Sequence, residues 1–380
     1  MTIAAIDQKQ YSTEARLYLA FEMGNSQWKL GFTIGLGQAP RQRTIPAGDL
    51  ARLQTEVSKA KQRFGLNQEN GVVSCYEAGR DGFWLHRALT EAGIENVVVD
   101  SASLEVNRRF RRVKTDRVDL GKLVTMLIRY QAGEQKVWRV VRVPTVEQED
   151  GRQLHRELAS LKRERTQHIN RIKGLLVNQG VRLAVKSDFL KRLEEVRLWD
   201  GSPLPPGLGG RVRREYARIE LINQQIKVLE AERRELLRSA TDRQTEMIRH
   251  LLRLRGIGLN SAWLYVKEFF GWRQFRNRRE VGALAGLTPT PYQSGDGNRE
   301  QGIDKAGNCH IRAIAIEIAW GWLRHQPDSA LSQWYQERFG HGNSRMRRIG
   351  IVALARKLLI ALWRYLETGE IPEGAMLKPT

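Results

Sequence analysis

The sequence predicts a chain of the α/β plus α class, and three observations carry this prediction. Residues 1–144 alternate short apolar runs with amphipathic segments. Residues 145–248 lose the strand pattern and repeat apolar residues in alternating steps of four and three. Residues 249–380 are mostly helical in pattern, with a glycine-rich polar stretch inside them. We therefore predict three domains, 1–144, 145–248 and 249–380.

The first domain is predicted to begin with a β-hairpin. "LYLAFEM" (17–23) and "WKLGFTI" (28–34) flank the short polar turn "GNSQ". Further strands are predicted at "QRTIP", "GVVSCYEA" and "NVVVD", and helices at 49–64, at 81–92 and from Asp116 onward, with Thr115 as N-cap. A hairpin followed by β-α-β-α is the order expected of an RNase H-like fold. An actin-like nucleotide-binding fold, which shares the strand-turn-strand opening, is the alternative.

The second domain is predicted to be two long antiparallel helices with a coiled-coil seam. Its apolar repeat runs from Leu154 to Leu175 and again from Ile219 to Leu236. Between them, "DGSPLPPGLGG" (200–210) cannot continue a helix. Three seam positions hold polar residues, which suggests contacts outside a simple pair: Arg165, His168 and Arg233. A spacer and an oligomerisation arm both fit this pattern.

Two glycine-rich features mark the third domain. "RLRGIGLNSAW" places Gly256 and Gly258 before a helix, as in helix-hairpin-helix elements, where glycine lets the backbone approach a phosphate. A tight helix–helix turn needs the same residues. "AGLTPTPYQSGDGNREQGIDKAGNCHIR" (285–312) is predicted to be a long polar loop with Ser294 at its centre. Residue chemistry alone favours a turn role for Ser294.

The net charge points to nucleic acid as the partner. The chain has 63 Lys plus Arg against 42 Asp plus Glu, a net charge of +21. A membrane partner is disfavoured, because no uninterrupted apolar stretch reaches the roughly 18 residues that span a bilayer. Cys75 and Cys309 suggest neither a metal site nor a disulfide framework, and the N-terminus has no signal-peptide core. We expect a cytoplasmic protein.

Four acidic residues form a candidate metal site. Strand alternation places Glu22 near the end of its strand, and Glu77 holds the corresponding position in the next apolar run. Asp116 and Asp119 share one helix face, with Cβ atoms roughly 5–6 Å apart. Carboxylates alone favour Mg²⁺ or Mn²⁺, and a pair of such ions supports phosphodiester chemistry. The alternative is a purely structural role, in which the two aspartates stabilise the start of a helix and neutralise the neighbouring arginines.

Several motifs together resemble the DEDD-type insertion-sequence transposases, the group that includes pilin-gene invertases and bridge-RNA-guided recombinases. The resemblance covers nearly the whole chain. It is carried by "KTDRVDLGKL", "LKRERTQHINRIKGLL", "LRLRGIGLNSA", the run from "AGLTP" through "KAGNCHIR", and "VALARKLLIALWRYLETGE".

The resemblance implies a RuvC-like first domain in which Glu22, Glu77, Asp116 and Asp119 bind Mg²⁺. It implies that Ser294 is the nucleophile, attacking double-stranded DNA at element ends and target. Helical middle domains would join protomers into a dimer or tetramer, and a noncoding guide RNA would select the DNA, in a prokaryotic, nucleoid-associated protein. The chain departs from the family pattern at one of these positions: Glu22 stands where the family usually has Asp, and glutamate is one methylene longer.

The predicted function is a DNA transposase or site-specific recombinase. Ten residues are predicted to contact nucleic acid: Arg108, Arg109, Arg111, Arg112, Lys114, Arg255, Gly256, Gly258, Lys305 and Arg312. Two alternatives are a metal-dependent junction nuclease that uses water, and a noncatalytic nucleic-acid-binding relative. The first would still cut DNA without Ser294, and the second would bind with steep salt dependence and no metal-dependent chemistry.

Overall fold

The strands and helices predicted for the first 144 residues are present in the computed structural model, which describes residues 15–104, 116–294 and 297–379. Side chains are described in these ranges except at residues 102, 116–119, 291–294 and 297–301. The chain divides into two compact units, Met1–Pro144 and Thr145–Thr380. The finer division into three domains stays a prediction.

A five-stranded mixed sheet forms the centre of the first unit. Its strand order is β3-β2-β1-β4-β5, with β1, β2 and β3 antiparallel and β4 and β5 parallel to β1. The elements are β1 (Leu17–Met23), β2 (Gln27–Thr33), β3 (Arg41–Pro46), α1 (Leu50–Arg63), β4 (Val72–Glu77), α2 (Trp84–Glu91), β5 (Glu95–Val99) and α3 (Asp116–Gln131). The predicted mixed α/β class is confirmed.

The side chains of β1 alternate between two hydrophobic cores, as the strand periodicity predicts. Leu19 and Phe21 belong to a core that includes buried residues of α1 and α2. Ala20 belongs to the core on the other face, with buried residues of α3. Helices therefore cover both faces of the sheet, and Glu22 lies on the α3 face.

Two long antiparallel helices dominate the first half of the second unit. Leu158 and Leu161 pack against Ile222 and Ile226. The elements here are α4 (Val146–Asp150), α5 (Gln153–Val177), α6 (Phe189–Glu194) and α7 (Pro206–Ser239). The coiled-coil character of the α5–α7 pair stays a prediction.

Two expectations for this region were wrong in part. Residues 200–210 do not interrupt the helix throughout, because α7 already begins at Pro206. Proline is tolerated at the first helical position, where its missing N–H has no intrahelical partner. Of the three polar seam residues, Arg165 bonds Asn223 and His168 bonds Glu215 within the pair. Only Arg233 reaches outside, to another helix.

The remaining helices pack around one hydrophobic core, with a β-hairpin inserted among them. The predicted polar loop 285–312 was wrong in that it contains this hairpin. "PTPYQS" and "GNREQGI" have no apolar alternation, so the usual strand signal is missing. The elements are α8 (Arg243–Arg253), α9 (Leu259–Tyr265), α10 (Arg278–Leu284), β6 (Pro289–Ser294), β7 (Gly297–Ile303), α11 (Cys309–His325), α12 (Ala330–Tyr335) and α13 (Ser344–Thr368).

Candidate active site

Two of the predicted acids occupy matching positions on adjacent parallel strands. Phe21 of β1 pairs with Tyr76 of β4, so Glu22 and Glu77 follow at equivalent positions. Both strands end within one residue of these glutamates. Glu77 lies on the same face as Cys75, which belongs to the core beneath α3. The two glutamates therefore share one face and one edge of the sheet.

Helix α3 runs antiparallel to β1 and β4, which places its beginning at that same edge. At its C-terminal end, the Gln131 amide donates a hydrogen bond to Glu95 at 2.8 Å, at the start of β5. Two turns earlier, the Cys75 thiol lies 3.9 Å from the Leu123 carbonyl oxygen, near the middle of β4. The helix axis thus passes from the carboxyl ends of the parallel strands toward their amino ends.

The backbone brings all four predicted acids to one edge of the first unit. Asp116 lies four residues before Leu120, a distance of about 6 Å along a helix axis. Leu120 packs against Gly31, whose strand partner Ala20 lies two residues, about 6.6 Å, before Glu22. Among the side chains that the structure describes, no three His, Cys, Asp or Glu groups gather into a metal site, and those of Asp116 and Asp119 are outside this set.

Cys75 lies beneath this edge, fully buried in the core under α3. Burial raises the pKa of its thiol, and the charge of Glu77 raises the pKa further. A thiol with a raised pKa stays protonated near neutral pH, and the thiolate is the reactive form. Burial and the raised pKa of its thiol therefore disfavour Cys75 as a nucleophile.

The glycine turn before α9 has a structural reason for its composition. Gly256 has a φ of +82°, and a Cβ on it would lie 3.2 Å from the His325 Cβ of α11. The Arg255 carbonyl accepts a hydrogen bond from the Gln326 amide, and its N–H donates to Met376. Packing alone thus accounts for Gly256, while Gly258 has no atom within 4 Å of a would-be Cβ. Phosphate binding by this turn stays a prediction.

Ser294 is the last residue of β6 and pairs with Gly297, the first residue of β7. It therefore lies at the end of the hairpin, beside the connection 295–296, which is outside the described residues. Lys305, beyond the other end of β7, has an unusual φ of +63°. The Arg312 guanidinium donates to the Lys305 carbonyl at 3.0 Å, so these two predicted phosphate ligands are neighbours.

Five predicted nucleic-acid contacts fall outside the described residues: Arg108, Arg109, Arg111, Arg112 and Lys114. Their role stays a prediction.

The sequence reasoning missed a cluster of cations that lines a groove of about 1130 Å³ in the second unit. We call this surface the basic groove, and its cations are Arg278, Arg279, Arg345, Arg348, Arg356 and Lys357. None of the six forms an ion pair within the described ranges. The signals "RNRRE" and "SRMRR" are visible in the sequence, but they are separated by more than 60 residues.

None of the described helices combines the length and apolarity that a bilayer span requires.

Comparison with known proteins identifies relatives of both units. A model of the IS116/IS110/IS902 transposase family matches residues 248–336. The protein y4rJ of Sinorhizobium fredii, which bears the name of a transposase, is 41% identical over 99% of this chain and 99% of its own length. The transposase for insertion sequence element IS1111A of Coxiella burnetii is 28% identical over 79% of each chain. The transposase for IS1328 of Yersinia enterocolitica is 27% identical over 55% of this chain and 60% of its own.

Proposed function

The chain belongs to the IS116/IS110/IS902 family of transposases, and from this premise we propose how it cuts and rejoins DNA. Ser294 attacks a DNA phosphodiester, and the four acids of the first unit hold the metal that assists the attack. The single observation that carries this proposal is the shared edge of the sheet, where Glu22 and Glu77 lie at matching positions and α3 begins. We further propose that this unit has an RNase H-like, RuvC-like fold, supported by its strand order.

The four acids fit a hard divalent cation. Glu22, Glu77, Asp116 and Asp119 supply only oxygen atoms, which Mg²⁺ and Mn²⁺ prefer over nitrogen or sulfur. Their like charges at one edge would repel each other, so a bound cation stabilises the set. When bound, such ions stabilise negative charge on a reacting phosphate. Glu22 is one methylene longer than aspartate, so it reaches the same ligand position only with a bent side chain.

Ser294 carries the covalent step. Its hydroxyl oxygen bonds to phosphorus while the bond from phosphorus to one bridging oxygen breaks. The serine proton passes to a neighbouring base, and the departing oxygen takes up a proton to become a free hydroxyl. Attack by a hydroxyl of the second DNA strand then restores a phosphodiester and releases the serine. The position of Ser294 at the end of a hairpin supports this role, because a hairpin end is accessible to an extended ligand.

We propose that the α5–α7 pair joins protomers into a dimer or tetramer. Leu221, Val228 and Leu236 of α7 are exposed, although they are large and apolar. They are distinct from the α7 residues that pack on α5, among them Ile222 and Ile226. An exposed apolar stripe on a long helix is typical of a helix–helix interface. In such an assembly the acids of one protomer meet Ser294 of another, and a noncoding guide RNA selects the DNA.

The test is a search for a denaturation-resistant protein–DNA adduct. Full-length protein is incubated with Mg²⁺, RNA from the region flanking the gene and labelled DNA spanning the joined element ends. We expect an adduct in the wild type and none in Ser294→Ala or Asp116→Asn. Two controls remove the same groups elsewhere: Ser239→Ala at the end of α7 and Glu91→Gln, exposed at the end of α2.

Cutting without an adduct that survives Ser294→Ala would replace this proposal with a water-using nuclease. DNA binding with no cutting under any of these conditions would instead favour a noncatalytic relative.

A further inference from the structure

We propose that the basic groove binds single-stranded DNA next to the phosphate that Ser294 attacks. This inference rests on the proposed function, because the choice of DNA follows from the neighbouring serine hairpin. The groove itself, its charge and its apolar floor are independent of that function.

The floor of the groove is apolar and partly exposed. Trp334 and Phe339 line it, with ring centroids 5.7 Å apart in an edge-to-face arrangement. Met346 and Ile349 of α13 also line it, and they are 41% and 45% exposed. Large apolar side chains that remain this accessible in a concave site indicate a ligand with an apolar face.

The shape of this floor depends on a glycine of α13. A Cβ on Gly350 would overlap the Phe339 ring, so only glycine lets this ring lie against the helix. Glycine in a helix interior costs about 0.5–1 kcal/mol relative to alanine. Gly350 is therefore an unfavourable residue for a helix interior, and it stands where the Phe339 ring of the groove floor packs against α13.

The rim of the groove is cationic, and none of the described residues that line it is acidic. Lys357 places its Nζ 4.5 Å from the Trp334 ring centroid. The Nε of Arg356 is buried, and no described residue supplies it with a hydrogen-bond partner. Six cations that repel one another, and that have no carboxylate partner among the described side chains, favour a polyanion.

A charged groove with an aromatic floor is the combination that binds unpaired nucleotides. Phosphates contact the cations, while bases stack on aromatic rings. A duplex buries its base faces within its own stack, so it would contact the rim and leave the floor exposed. The volume of about 1130 Å³ exceeds the roughly 300–1,000 Å³ that encloses a drug-sized ligand. The groove thus has room for more than one nucleotide.

The serine hairpin connects this groove to the proposed chemistry. Pro289 and Ile303, which pair at the base of the hairpin, both line the groove. Ser294 lies five residues along β6 from Pro289, about 17 Å at strand spacing. Even at the roughly 3.4 Å per nucleotide of one strand in a duplex, about five nucleotides cover that length, and an extended single strand needs fewer. A DNA strand bonded to Ser294 would therefore reach the groove, and we choose DNA rather than RNA as the occupant.

Photo-crosslinking tests the proposal without any need for cutting. Ser294→Ala protein is mixed with a 5-iodouracil-labelled single-stranded DNA of about 12 nucleotides, irradiated, digested and analysed by mass spectrometry. We expect crosslinks at Trp334, Phe339 or Met346. Crosslinks confined to peptides outside the groove would overturn the proposal.

A binding series measures the contribution of the rim. Arg345→Ala with Arg348→Ala should weaken single-stranded DNA binding about 10-fold, by fluorescence anisotropy. The slope of log affinity against log salt should fall by about 1.4, since each lost phosphate contact on a single strand contributes about 0.7. Arg234→Ala with Arg238→Ala removes the same charge from α7, outside the groove, and should leave the groove crosslinks unchanged.

Two further outcomes would overturn the proposal: tighter binding of the matching duplex than of the single strand, or groove crosslinks stronger with RNA of the same sequence. Because these assays use Ser294→Ala protein, groove binding can hold even if the serine mechanism fails.

Discussion

The helix pair and the basic groove use charged residues in opposite ways, although both lie in the second unit. In the pair, Glu215 is buried and lies within hydrogen-bond distance of His168, Arg171 and Arg218. In the groove, the arginines have no carboxylate partner in the part of the chain that the structure describes. The first arrangement neutralises charge within the fold, whereas the second leaves charge for a ligand.

A second buried glutamate repeats the first arrangement where α5 meets the C-terminal helices. Glu268 is 2% exposed, and its carboxylate accepts hydrogen bonds from Arg156 at 2.6 and 2.9 Å, with His155 at 2.9 Å. A net charge of +21 is therefore not spread evenly. The number of basic residues indicates that the chain binds a polyanion. The surface that binds it is found only by asking which basic residues have a carboxylate beside them in the fold.

Glu268→Gln removes one of the buried carboxylates that neutralise charge within the fold. We expect it to lower stability more than any of the other substitutions. It removes the buried carboxylate that pairs with Arg156, which we expect to lower the free energy of unfolding by about 3 kcal/mol, the lower end of the range for breaking a buried pair. The lower end applies because Arg156, 49% exposed, can turn to solvent. Urea unfolding followed by circular dichroism measures it. The control is Glu235→Gln, which removes an exposed ion pair with Arg238 and should change stability by less than about 1 kcal/mol.

The same variant should show a characteristic pH dependence. Burial alone would raise the pKa of Glu268, but hydrogen bonds from His155 and Arg156 outweigh it and lower this pKa to about 2. A depressed carboxyl pKa stabilises the fold above the unfolded value near 4.5, and this stabilisation is lost as the pH falls toward 2. The stability difference between wild type and Glu268→Gln should therefore shrink from pH 4.5 to pH 2. A constant difference across this interval would contradict the assignment.

Gly350→Ala tests whether this glycine holds the Phe339 ring in place in the basic groove. Alanine at this position overlaps Phe339, and overpacking of this kind costs about 1–3 kcal/mol or displaces the ring. We expect lower stability together with weaker single-stranded DNA binding, by thermal unfolding and anisotropy. Gly174 lies within α5, and a Cβ added to it would have no neighbouring atom within 4 Å, so Gly174→Ala should instead raise stability by about 0.5–1 kcal/mol. Equal effects of the two substitutions would show that Phe339 is not held as described.

Substitutions in the glycine turn should have smaller effects on stability, and they distinguish a structural role of this turn from a contact with DNA. Gly256→Ala forces a left-handed residue, which costs about 1–2 kcal/mol, and crowds His325. Gly258→Ala should change stability by less than about 0.5 kcal/mol, because its φ of −93° suits alanine and its surroundings are open. Weaker DNA binding by stable Gly258→Ala protein would support a phosphate contact at this turn. Unchanged binding would leave the turn a structural feature.

Sequence reasoning predicted the regular elements of the first unit because each has a local signal. The alternation in β1 separates Leu19 and Phe21 from Ala20 and Glu22, and the structure assigns them to opposite faces as predicted. The position of Glu77 followed from the same rule. The acid edge could be inferred because parallel strands bring their ends together.

The hairpin and the groove could not be predicted in this way, because neither has a local periodic signal. The hairpin strands β6 and β7 have no apolar alternation, so in the sequence they resemble a loop. The groove gathers Arg278, Arg345 and Arg356 from two helices that lie far apart in the sequence. Likewise, the polar character of Arg165 suggested a contact outside the helix pair, but its guanidinium donates a hydrogen bond to Asn223 within the pair. Long-range packing decides these cases, and no short pattern encodes it.

The most direct test of the central claim is to identify the residue bonded to DNA. Full-length protein that has reacted with element-end DNA and Mg²⁺ is treated with nuclease and protease, and its peptides are sequenced by mass spectrometry. We expect a nucleotide linked to Ser294, and none when Asp116→Asn protein is used. A nucleotide on any other side chain, or cut DNA with unmodified Ser294, would contradict it.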